Sequence, residues 1–267
     1  MKVGFTTLCM FMDDNYKIIQ AAHDHDFEMI EILGESPFFL KDNTIAYKDC
    51  GLDVCIHAPT VDINIASLNE GIKAESVKQM KECIDYAESI NAYAITVHAG
   101  KIGRNDPPLR KQALEYACQS ISELVDYAEN VIISVENMPI RPVFLGNTIE
   151  ELEMFKSECG CGITIDLGHG NTTKNNEELL ELKDITYCHL NDNDGVKDQH
   201  IPLGDGTAIK LTVSSYFTPN GRNIHGEGIT PDQIVELPEE EEAYDNGYIK
   251  REYDTQLQEA VKYILGQ

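Results

Sequence analysis

The chain has 267 residues, 42% of them hydrophobic, which is enough for one α/β barrel or two smaller domains around a sizeable buried core. Its 21 lysines and arginines face 46 aspartates and glutamates, and the net charge of -25 disfavours non-specific attraction to nucleic-acid phosphates or an anionic membrane. No stretch approaches the roughly 18 apolar residues needed to span a bilayer, and the scattered cysteines point to a reducing cytoplasm.

Residues 1–12 carry one lysine and no small-residue cleavage site, so they read as a first strand and not a signal peptide. Short β-branched runs then recur, at 3–7, 28–33, 54–57, 94–98, 131–136, 162–166 and 185–189. Between them, stretches such as 72–90 and 109–128 place apolar residues at three- and four-residue spacing with charges on the other face, the pattern of amphipathic helices. Alternating strands and helices predict a parallel sheet with right-handed crossovers. Seven such units predict a (β/α)8-type TIM barrel over an open sheet. Cys55, Cys83, Cys118 and Cys188 fall inside these patterns as small apolar residues. Cys159 and Cys161, with one residue between them, read as a turn feeding a strand, since structural zinc pairs usually have wider spacing.

The chemistry falls at one end of the strands. His57, His98, Glu136, Asp166 and His189 each close a strand-like run, and Glu31 lies near the end of the second. One histidine in such a place has a bland explanation as a hydrogen-bonded structural group. Five consecutive strands ending in ionisable side chains do not, because at a barrel mouth these groups would repel or stay unpaired without a cation. The loop after the seventh run adds Asp198 and His200, both good ligands for a divalent metal.

These residues sit in motifs that resemble the xylose isomerase-like barrel superfamily, which includes sugar isomerases, sugar epimerases and endonuclease IV. The motifs are Ile56-His57-Ala58-Pro59, Val97-His98-Ala99-Gly100, Val135-Glu136-Asn137, Asp166-Leu167-Gly168-His169, His189-Leu190-Asn191-Asp192 and Asp198-Gln199-His200. The likeness covers about the first three quarters of the chain and implies two uses of the site. In the endonuclease IV manner, His57, His98, Glu136, Asp166, His169, His189, Asp198 and His200 are eight ligands of three zinc ions that activate hydroxide against a DNA phosphate. In the epimerase manner, Glu136, Asp166 and His189 hold one manganese, cobalt, magnesium or zinc ion. Glu136 then doubles as an acid/base carboxylate, and His169 lies near a sugar or sugar phosphate. Lys101 and Asn137 are substrate-binding candidates; Lys101 opens the only modestly basic patch, 101–111 with Arg104 and Arg110, which also reads as a solvated helix start. With no basic stripe to hold duplex DNA, charge tips the reading toward the sugar enzyme.

The pattern breaks after Leu203-Gly204-Asp205-Gly206. A relative would continue into a seventh helix, an eighth strand bearing a further Glu, and a closing helix. Instead, residues 207–213 alternate like a half-exposed strand, and Pro219-Asn220-Gly221 is a turn signal. This tail resembles the terminal segment of carboxy-terminal processing serine peptidases through residues 204–212, 216–224 and 226–232 and a final helix from Asp254. In that family the segment follows the catalytic Ser and Lys, so no peptidase activity is assigned. The expected organisation is an incomplete barrel over 1–203 and a non-catalytic β-hairpin-plus-helix tail over 204–267, an apparent chimera. Alternatively, 233–237 supplies the eighth strand and Glu236 the missing ligand. The functional expectation is a divalent-metal-dependent sugar (phosphate) isomerase or epimerase, inactive for want of its eighth strand. The alternatives are a zinc-dependent abasic-site endonuclease, or a non-functional fusion made poorly soluble by unpaired first and seventh strands.

Overall fold

A computed structural model describes residues 2–10, 13–35 and 44–201, with Leu203 and, nearer the C-terminus, Tyr244, Asp245, Tyr248, Ile249, Tyr253 and Thr255. Seven strands pair in parallel and in chain order: β1 (Gly4–Thr6), β2 (Met29–Leu33), β3 (Asp53–His57), β4 (Ala94–Val97), β5 (Ile132–Glu136), β6 (Gly162–Asp166) and β7 (Ile185–His189). The helices are α1 (Asn15–Asp24), α2 (Thr44–Lys48), α3 (Glu70–Ser89), α4 (Pro107–Tyr127), α5 (Ile149–Cys159), α6 (Leu167–Thr173) and α7 (Asn176–Glu181). This is the arrangement of a TIM barrel truncated after its seventh strand, with β1 and β7 each paired on one side only among the described residues. Every expected strand end is met to within one residue, and His98 lies one position past β4.

The elements form where local chemistry dictates. Asn69 caps α3 by accepting from the amides of Gly71 and Ile72, and Asp106 caps α4, which opens on Pro107 and Pro108. Thr148 caps α5, which stops at Gly160, a glycine at φ 70° where a side chain would be strained. That turn separates Cys159 from Cys161, as the spacing implied. α4 buries Ala113, Ala117, Ile121 and Leu124 along one stripe, and α5 buries Leu152 and Phe155. Successive strand residues face opposite sides of the sheet. One set, including Ile30, Ile32, Val54, Ile56, Ile95, Val97, Ile133, Val135, Ile163 and Ile165, is buried and aliphatic. The other set carries the polar and ionisable groups described below.

The chain forms two compact units, Met1–Ile209 and Lys210–Gln267. In the second, Tyr244–Asp245 (β8) and Tyr248–Ile249 (β9) pair antiparallel. The strand expected at 207–213, the helix expected from Asp254 apart from Thr255, and the alternative eighth strand with Glu236 lie outside the described residues. Among the described residues, no helix is long and apolar enough to cross a membrane.

Candidate metal centre

His57, Glu136, Asp166 and His189 end β3, β5, β6 and β7, and His98 follows β4, so all five converge at the C-terminal mouth. Three groups of side chains each bring their ligand atoms within 4.8 Å of one another: His57–His98–Glu136, Glu136–Asp166–His189 and Asp166–His169–His200. Glu136, only 1% exposed, joins two of them through different oxygens. Its Oε2 lies 2.8 Å from His98 Nε2 and 3.4 Å from His57 Nε2, whereas its Oε1 lies 2.7 Å from His189 Nδ1. Asp198 closes the third group, with Oδ2 3.2 Å from His169 Nε2 and Oδ1 3.0 Å from His200 Nε2.

Neighbouring groups choose which ring nitrogen faces each site. His57 Nδ1 donates to the Ala58 carbonyl (3.0 Å), and His169 Nδ1 donates to the Asn137 carbonyl (2.7 Å). A carbonyl can only accept, so the proton sits on Nδ1 and Nε2 turns its lone pair toward the cluster. His189 is reversed: Nε2 contacts Glu31 Oε2 at 2.7 Å, which leaves Nδ1 for the Glu136–Asp166 side. Asp166 is held from three directions. Its backbone N–H donates to Asn137 Oδ1 (2.6 Å), and Asn137 Nδ2 donates to its carbonyl (2.9 Å). Asn191 Nδ2 donates to both carboxylate oxygens (3.0 and 2.8 Å), and Asp166 Oδ1 accepts from the His169 amide (2.7 Å), capping α6. A Cβ on Gly168 would lie 1.9 Å from Asn191 Oδ1, so a glycine there admits the Asn191 amide to the site.

The donor set fits divalent cations. Among the described residues, the ionic partners of Glu136, Asp166 and Asp198 are all histidines, with no lysine or arginine to neutralise them. Asp198 Oδ1 is buried and makes no aligned hydrogen bond, an acceptor that a cation would satisfy. Burial works to raise the Glu136 carboxyl, but His189, His57 and His98 outweigh it and hold the group well below the usual carboxylate range. Burial likewise opposes charge on His189 and His169. The carboxylates around them win, raising His189 well above the ordinary imidazole value and His169 to about 10. Without cations the cluster is therefore held together by protons, on nitrogens that metal ions would take over.

All eight residues carried over from the motifs thus meet at one mouth, seven of them in the three overlapping groups and Asp198 against His169 and His200. Lys101 stands apart: its side chain is exposed, while its backbone braces Asn64 and pairs with Phe144. The two arginines of its patch are engaged, Arg104 with Asp106 and Arg110 with Glu151. Asn137 is buried, and both polar atoms of its amide engage the backbone of Asp166, which makes it a support for that ligand. Sequence reasoning noted Glu31 near its strand end and Asn191 within a motif without assigning either a role, and it passed over Tyr187. The available signal for Glu31 and Tyr187 was position: they lie on the same strand face as Leu33 and His189, two residues below.

A sequence profile of the xylose isomerase-like TIM barrel family matches residues 19–215. The uncharacterized protein MJ1311 of Methanocaldococcus jannaschii is 30% identical over 228 residues, covering 80% of this chain and 78% of that protein. Among solved structures, a D-tagatose 3-epimerase-like protein superposes with a TM-score of 0.71 at 27% identity, over 78% of this chain and 82% of its own. Endonuclease IV from Thermus thermophilus shares the fold with a TM-score of 0.60 at 19% identity, over 77% and 83%. The tail is homologous to a different kind of protein, the carboxy-terminal-processing protease of Bartonella bacilliformis: 53% identical over 47 residues, 17% of this chain and 11% of that one.

Proposed function

We propose that this chain, which belongs to the xylose isomerase-like TIM barrel family, is a polynuclear metal-dependent hydrolase of phosphate esters, working in the manner of endonuclease IV. The observation that carries this reading is the division of Glu136: one oxygen faces His57 and His98, the other faces His189, and Asp166 extends the cluster to His169, His200 and Asp198. A single-ion enzyme has no need of the first and third groups. Divalent ions bound there would polarise a phosphoryl oxygen and acidify water toward neutral pH.

The side chains do the rest. Glu136 ties two groups together at fixed separation. His57 and His169 present Nε2 because backbone carbonyls hold their Nδ1 protons. Asn137 and Asn191 prevent Asp166 from rotating away. Glu136 and His169 would hold ions in this reading; the acid/base role of Glu136 and the place of His169 near substrate belong to the sugar-enzyme alternative. With a net charge of -25 and the arginines of the 101–111 patch already paired, a compact phosphodiester suits the mouth better than duplex DNA.

A second reading, a sugar or sugar phosphate epimerase using only Glu136, Asp166 and His189, is favoured by the likeness to the D-tagatose 3-epimerase-like structure. Metal content and turnover separate the two. About three zinc ions per chain, hydrolysis of bis(p-nitrophenyl) phosphate or abasic-site DNA, and loss of both in Glu136→Gln are expected of the hydrolase. One ion with ketose epimerisation and no hydrolysis would replace it with the sugar enzyme. Wild-type protein that retains no metal would refute both.

A further inference from the structure

Beneath the metal centre, a hydrogen-bonded chain of side chains crosses the sheet. Thr164 Oγ1 donates to Ser134 Oγ (2.8 Å), and Thr96 Oγ1 lies 2.9 Å from Thr164 Oγ1 and also meets the Tyr187 hydroxyl. Tyr187 donates to Glu31 Oε2 (2.7 Å), the same oxygen that contacts His189 Nε2 at 2.7 Å. Thr96, Ser134 and Thr164 are fully buried, and the Glu31 side chain is 11% exposed. Barrel interiors are ordinarily filled by branched aliphatic side chains, and a polar layer there costs desolvation unless each member is satisfied. This one is linked through five strands, β5, β6, β4, β7 and β2, and it ends on one carboxylate oxygen against one metal-ligand candidate.

We infer that Glu31, anchored by Tyr187 and the Thr96–Thr164–Ser134 hydroxyls, is the positioning residue for His189, keeping a proton on Nε2 so that Nδ1 is presented as a strongly basic ligand. The inference rests on the metal-binding reading above and assigns it an outer carboxylate. Glu31 does not take the place of an eighth-strand ligand. Its oxygen lies on the Nε2 side of the ring, whereas Glu136 and Asp166 approach Nδ1, and Glu31 belongs to none of the three groups. The two nitrogens of an imidazole point in divergent directions, so an ion on Nδ1 is out of reach of Glu31 Oε2. Carboxylates that hydrogen-bond a ligating histidine fix its tautomer and raise its basicity, and their loss typically weakens metal binding about 10- to 100-fold.

The test is cobalt(II) titration of the full chain, read by visible d–d absorption and by metal retained after dialysis, for wild type, Glu31→Gln and Tyr187→Phe, with circular dichroism to verify folding. Wild type is expected to bind about three equivalents. In Glu31→Gln, one of these should weaken about 10- to 100-fold with a changed spectrum, while the others keep wild-type affinity. Tyr187→Phe should weaken the same equivalent to a smaller degree. Glu31→Gln with wild-type affinity and spectrum overturns the inference and leaves the metal reading standing. Wild type that binds no cobalt overturns both. If Glu31→Gln does not fold, Tyr187→Phe decides: weakening of one equivalent supports the role, and an unchanged titration overturns it.

Discussion

Asp166 is oriented by two asparagines, and neither was singled out for that task by its residue type. Asn137 was a candidate for touching substrate, yet its amide is spent on the backbone of Asp166, and Asn191 brackets the carboxylate from the loop after β7. Asn137→Ala would leave the buried Asp166 N–H without its acceptor, at a cost of about 1–3 kcal/mol. The denaturant midpoint should fall accordingly with an unchanged slope, and metal retention should weaken with it; an unaltered midpoint would remove Asn137 from this role. Five of the candidate ligands, His57, His98, Glu136, Asp166 and His189, were legible from position, because a His, Glu or Asp at the last position of a β-branched run is a local signal; His169 came from a motif and Asp198 and His200 from the loop after the seventh run. Their supports were not, since an asparagine has the same local appearance whether it lines a pocket or braces a neighbour.

Among elements, the α4–α5 pair frames the loop that follows Glu136. Arg110 on α4 donates to both oxygens of Glu151 on α5 (2.7 and 2.8 Å), to Asn147 Oδ1 (2.9 Å) and to the Pro142 carbonyl (2.9 Å). Glu151 in turn accepts from the Gly146 amide (2.7 Å). The same arginine, read in sequence, belonged to a basic patch available for a phosphate; across the helix pair it is occupied. Both side chains are largely buried, so Arg110→Ala strands a carboxylate, and the loss should be about 2–3 kcal/mol, somewhat less than for a fully buried pair. Thermal melts should show a midpoint lowered by roughly 4–12 °C. Metal stoichiometry should stay at the wild-type value, because no ligand moves with the arginine; a loss of bound metal would instead tie Arg110 to the site.

At the scale of the whole molecule, the cluster links stability to pH and, on the metal-binding reading, to metal. His169, His189, His57 and His200 are raised above the ordinary imidazole value, so each stabilises the fold while protonated; that contribution is complete below about 6.5 and is lost as pH climbs, toward about 10 for His169. His98 is lowered and acts in the opposite sense, and the depressed Glu136 and Asp198 contribute above about pH 4 and lose that contribution on acidification. The raised histidines outnumber the lowered one. Metal-stripped protein should therefore melt higher near pH 6 than near pH 9, and the increment added by zinc should grow over the same interval, as fewer protons compete for the ligands. Melting curves with chelator and with zinc at the two pH values test this, and a zinc increment that shrinks with rising pH would contradict it. By itself, the sequence determined the parallel strands, the strand ends, the candidate metal-ligating residues that converge at one mouth and the likeness of the tail, because short apolar runs and short motifs are local properties of a chain. Only the tertiary structure decided which oxygen of Glu136 serves which histidines, which nitrogen each ring presents, and that Glu31 meets a histidine 158 residues away. Those contacts depend on how the staggered strands of a curled sheet bring distant rows to the same height, and no local window of the chain carries that register.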